Sequence, residues 1–142
     1  MAWVNALLLW LHLGALALGG AATFGLPVVG ARMGAAEPAG KQALVGVIMA
    51  LTKLSNIALS TLFVTGLILV WSKYGGPGHM PLWFWVKMML LVGLIGAIHM
   101  GRATAKKAMG GDTAAAARQP TLSRIGIGLF LLVVLTAVLA FH

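Results

Sequence analysis

Few residues in this sequence could do chemistry, and most of those stand inside apolar runs. They are His12, Lys53, Lys87 and His99, supported by Asn5, Asn56 and Ser60. Ionisable groups at membrane depth are costly to place, so by default they mark a bundle interior, a cavity or a ligand. An imidazole offers a neutral nitrogen to a metal or a proton, and an amine offers a charge to an anion. The acids sharpen the second point. The only carboxylate side chains are Glu37 and Asp112, both in polar connections, so neither intramembrane lysine has an internal acid to pair with. Each lysine must snorkel to an interface, stay neutral, or meet an anion brought from outside: a haem or porphyrin propionate, or a lipid phosphate.

Helical spacing sorts these residues. Asn5, His12 and Gly19 are seven apart and share one face, while Lys53, Asn56 and Ser60 form a stripe on another segment. Met88, Val92 and His99 line one face of a third, from which Lys87 is turned by about a third of a revolution. Counted at ~1.5 Å per residue from the outer helix ends, Lys87 lies about 9 Å deep, His12 about 14 Å and His99 about 27 Å. His12 and Lys87 are thus expected to share a site, with Asn5 and Lys53 as further contacts and Trp10, Trp71, Trp83 and Trp85 as flat walls. Lys87 is the candidate catalytic amine. His12 and His99 are the candidate metal imidazoles, although their depths do not suit one haem within one chain. His12 would then act as a sole axial ligand or pair with its own copy in a symmetric oligomer. His79-Met80 joins an imidazole to a thioether, a soft pair that suits copper.

The elements that must position these groups follow from composition. The chain has 142 residues, a mean hydropathy of +1.00, 61% hydrophobic and 8% charged residues. Soluble domains carry about 25% charged residues, and disordered chains lack this much apolar surface. With no cysteine there is no disulfide framework and no thiolate chemistry. Four stretches, residues 3–29, 43–72, 81–101 and 125–141, are near or above the ~17–25 residues that cross a bilayer core. The expected fold is an all-α integral membrane protein, a single domain forming a four-helix antiparallel bundle. No HExxH, P-loop or Ser/His/Asp arrangement is present, and proton-coupled transport usually needs an intramembrane carboxylate.

The formal net charge of +8 is a topology signal rather than a nucleic-acid footprint. Arg32 and Lys41 lie in the first connection, and Arg102, Lys106, Lys107, Arg118 and Arg124 in the third, residues 102–124; the middle one has only Lys73. Positive-inside therefore puts the first and third connections in the cytoplasm and both termini outside, and the tryptophans at helix ends agree. The first segment lacks the charged n-region of a signal peptide and is expected to be a retained helix. Small residues four apart, Ala17, Ala21 and Gly25 in the first helix and Gly93 and Ala97 in the third, are the expected helix contacts.

Three stretches carry a family resemblance. Trp10 to Gly20, with its histidine and following glycines, resembles the opening helix of the bacterial membrane proteins grouped around the CopD copper-resistance domain and the HemJ-type protoporphyrinogen oxidases. Thr65-Gly66-Leu67 resembles the Thr-Gly-Leu that closes their second helix. Trp83 to Arg102, with Lys87 and then His99-Met100-Gly101-Arg102, resembles their lysine-containing helix. The resemblance implies a helical bundle in the bacterial inner membrane. In the HemJ branch it implies haem b and protoporphyrinogen oxidation, with His12 and Lys87 at the matching positions; the CopD branch implies copper handling. The HemJ branch has Tyr-Leu-Pro-Arg after its first histidine, where this chain has Gly25-Leu26-Pro27-Val28. The expected function is a haem- or porphyrin-binding redox protein, with a quinone or a partner membrane subunit as exchange partner. The alternatives are a copper-handling protein, using His79, Met80, His99 and Met100, and a non-catalytic assembly subunit.

Overall fold

The computed structural model describes residues 2–141, with side chains to 139. Four helices account for nearly all of them: α1 Ala2–Arg32, α2 Pro38–Tyr74, α3 Leu82–Met109 and α4 Thr113–Phe141, with a single 3-10 turn at Pro77–His79. Each is long and apolar enough to cross a membrane. In hydrocarbon no water can satisfy a backbone amide, so a spanning segment must pair its own, which a helix does. This is a multi-pass helical membrane protein.

The helices run further than the hydropathy pattern predicts. Residues 102–124, expected as a basic connection, are helical except for a turn at Gly110–Asp112. Alanine, lysine and arginine are strong helix formers, so the helices continue after the apolar run stops. The turn itself is chemically specified. Gly111 takes φ +96°, and the Asp112 carboxylate accepts a hydrogen bond from the Ala115 amide at 3.0 Å, capping α4. At the other end, Gly75 ends α2 with φ +73°, and the Gly76 amide donates to the Val70 carbonyl at 3.0 Å. That is the wrap-around bond of a left-handed helix cap, and glycine takes its φ without strain.

The chain divides between Met80 and Pro81 into two compact units, each an antiparallel helical hairpin: α1 with α2, and α3 with α4. The first has a clear seam. A side chain added at Gly19 would touch Ala58 at 3.6 Å, and one at Gly25 would touch Leu51 at 3.3 Å. His12 meets Thr65. Moving seven residues up α1 from His12 to Gly19 moves seven down α2 from Thr65 to Ala58. His12, Ala15, Gly19 and Ala22 alternate steps of three and four, as do Leu51, Ser55, Ala58, Leu62, Thr65 and Leu69. This is the heptad spacing that keeps one stripe turned to a partner helix.

Of the Ala17, Ala21 and Gly25 ridge, Gly25 alone meets α2. Ala17 and Ala21 are exposed, whereas Ala15 and Ala22 are buried. A four-residue repeat drifts around the helix, but the three-four alternation stays on the seam. In the second unit Phe84 and Leu94 of α3 and Ala115, Val133 and Thr136 of α4 are buried, with the Thr136 hydroxyl donating to the Leu132 carbonyl at 2.8 Å. Gly93, expected at a helix contact, is exposed.

Ala58 is 1% exposed and faces Gly19. Ala58→Leu is expected to wedge the seam and lower stability by ~1–3 kcal/mol, the usual cost of overpacking. Thermal unfolding in detergent would show it, and Ala17→Leu, on the exposed side of α1, serves as the near-neutral control.

Candidate functional site

His12 is the polar residue that the structure places most decisively. It is half-buried on the seam, and its Nδ1 lies 2.9 Å from the Thr65 hydroxyl. Thr65 is itself 5% exposed and donates to the Thr61 carbonyl at 2.6 Å. The next residue makes room for the ring. A Cβ on Gly66 would come within 3.2 Å of His12 Cε1, closer than side chains normally tolerate. Threonine supplies the oxygen and glycine supplies the space, in adjacent positions of one helix.

Of the expected face of Asn5, His12 and Gly19, the latter two both face α2, and Asn5 is half-buried. Lys53 is different. It is exposed on α2, twelve residues and about 18 Å along the helix from Thr65, so it does not join His12. Asn56 and Ser60 are exposed beside it, and the polar stripe lies off the seam. Trp10 is also separated from the imidazole. It is 69% exposed and two residues from His12, which turns it about 200° around the helix. Trp71 lines a shallow apolar groove with Leu67, Ile68 and Ser72 near the end of α2.

In the second unit, Lys87 is half-buried with its Nζ 5.0 Å from the centroid of the Phe84 ring. An ammonium over an aromatic face is attracted to the ring quadrupole. Phe84 in turn packs edge-on against Trp85, with centroids 5.5 Å apart. Trp83 and Trp85 are exposed. His99 is exposed, and its Nδ1 donates to the Ile95 carbonyl at 3.0 Å, one turn back on its own helix. His79 is exposed in the 3-10 turn and Met80 closes it. Among the described residues, no three His, Cys, Asp or Glu side chains form a metal-binding group. A haem asks less of the protein, since one imidazole can serve as its protein ligand.

Spacing within α1 found His12 but not its partners. Thr65 and Gly66 stood out only through the family-like Thr-Gly-Leu. A stronger signal was available in the three-four rhythm of α2, which puts Thr65 in phase with Ala58 and Ser55.

The class is therefore a multi-pass membrane protein of two helical hairpins, with a hydrogen-bonded imidazole on the seam of the first. The chain matches no family model, no curated protein and no solved structure.

Gly66→Ala is expected to push the imidazole aside by a few tenths of an ångström and cost ~1–3 kcal/mol of stability through overpacking. Unfolding in detergent measures the cost. The displacement should appear as a changed His12 ring signal in nuclear magnetic resonance, with His79 and His99 unchanged.

Proposed function

We propose that this chain is a haem b- or porphyrin-binding protein of a bacterial cytoplasmic membrane, with a redox role and His12 as the axial ligand. One observation carries the reading. His12 is held by a threonine hydroxyl on one ring nitrogen, the arrangement by which proteins orient a histidine for a metal on the other. The fit to the group rests on that oriented, half-buried imidazole.

Bound haem would supply one-electron iron chemistry. The chain's own part is to fix the imidazole, through Thr65 and Gly66. The orientation with both termini outside belongs to the same proposal, and the basic residues on either side of the α3–α4 turn support it. Oxidation of protoporphyrinogen, with electrons passing to a membrane quinone, is the reaction that the family resemblance suggests.

An ultraviolet–visible spectrum of the purified protein tests the reading. A Soret band is expected, abolished or shifted by His12→Ala. A colourless protein that takes up no haemin would leave the seam as packing alone, and a Soret band unchanged in His12→Ala would remove the ligand assignment.

A further inference from the structure

We propose that Thr65 is a positioning residue that holds His12 as its Nδ1–H tautomer, so that Nε2 carries the ring's lone pair. The inference deepens the haem reading and rests on it only for what Nε2 finally binds. Its ground is a count of protons. The Thr65 hydroxyl has one hydrogen and three neighbours: the Thr61 carbonyl at 2.6 Å, the Leu62 carbonyl at 3.5 Å and His12 Nδ1 at 2.9 Å. A carbonyl oxygen can only accept. If the hydroxyl hydrogen pointed at the imidazole, two oxygens would face each other at 2.6 Å with no proton between them. The hydrogen therefore goes to Thr61, and the Thr65 oxygen accepts from Nδ1–H.

The consequences run outward from that bond. A neutral imidazole with its proton on Nδ1 has its basic nitrogen at Nε2, the atom that takes a metal or a proton. The acceptor is a hydroxyl already polarised by its own bond to a carbonyl, and such chains strengthen each member. Gly66 lets the ring lie close enough for the bond to form. A carboxylate in the place of Thr65 would push the ring toward imidazolate character and would itself be an unpaired charge at membrane depth. Threonine sets the tautomer without that cost.

The test uses the full chain in lipid nanodiscs, purified without added porphyrin and labelled with nitrogen-15 in its histidines. His12 is assigned by its absence in His12→Ala. The expected wild-type spectrum shows His12 with a protonated Nδ1 and an unprotonated Nε2. Thr65→Ser should keep that pattern, and Thr65→Val, equal in shape but without the oxygen, should lose it. Haemin titration gives the second readout. Thr65→Val should weaken binding about 10–100-fold, the usual effect of removing the partner of a ligating histidine, and Thr65→Ser should restore it. A wild-type His12 protonated on Nε2, or a Thr65→Val spectrum like the wild type, overturns the inference. Should Thr65→Val fail to fold, the wild-type and Thr65→Ser spectra still decide. A wild type with the expected tautomer that takes up no haemin upholds this inference while the haem reading falls.

Discussion

An imidazole inside a bilayer has to find a hydrogen-bond partner, because neither lipid nor distant water will supply one. The bond from His12 to Thr65 meets that requirement and, with it, sets much of the first unit. For the two side chains to meet at 2.9 Å, α1 and α2 must approach closely. Close approach demands small residues along the seam, and Ala15, Gly19, Ala22, Ser55 and Ala58 provide them. Helices in lipid gain no water-expulsion energy from pairing, so this packing and the His12–Thr65 pair contribute to the association. The hydrogen bond also fixes register. A slip of one turn would leave His12 beside Thr61 or Leu69, against different surroundings, with the glycine no longer opposite the ring.

How far the sequence could be read depends on which physical signal each feature leaves. Four spans are legible because hydrocarbon thickness dictates a minimum apolar length. The helical continuation through residues 102–124 was not, because hydropathy reports membrane contact rather than backbone conformation. Ala17 and Ala21 fall off the seam, although Gly25 lies on it, for a related reason. Small residues are so common in this chain that a four-residue repeat fits several faces, and only the alternation of three and four singles out the seam. His12 was legible as an oddity, a polar ring among leucines. Its partner was not, since one threonine looks like any other until the register of two helices is known.

The two intramembrane lysines show that similar signals end differently. Both lacked an acid, and the same three outcomes were open to each. Lys87 lies over the Phe84 ring at 5.0 Å. A phenyl face attracts an ammonium without introducing a charge that would need its own partner, which suits a chain whose two acids lie at helix ends. The aromatic residue three positions before a lysine was visible in the sequence, yet an i, i+3 pair among so many aromatic and apolar residues carries little weight by itself.

Lys53 is better understood from length. α2 has 37 residues and spans about 55 Å, far more than the ~30 Å of a hydrocarbon core. If Trp71 lies at one headgroup layer, where tryptophan prefers to be, Lys53 falls about 27 Å further along, at the opposite edge of the core. There the amine reaches phosphates and water, and exposure on the helix becomes an advantage. Asn56, three residues nearer the centre, can share the same polar layer. The surplus length of α2 then extends past Lys53 toward Lys41 and Glu37, and His12 stays on the seam with Thr65. Depth separates the two residues that composition had grouped: the lysine answers to an interface, and the histidine answers to a threonine.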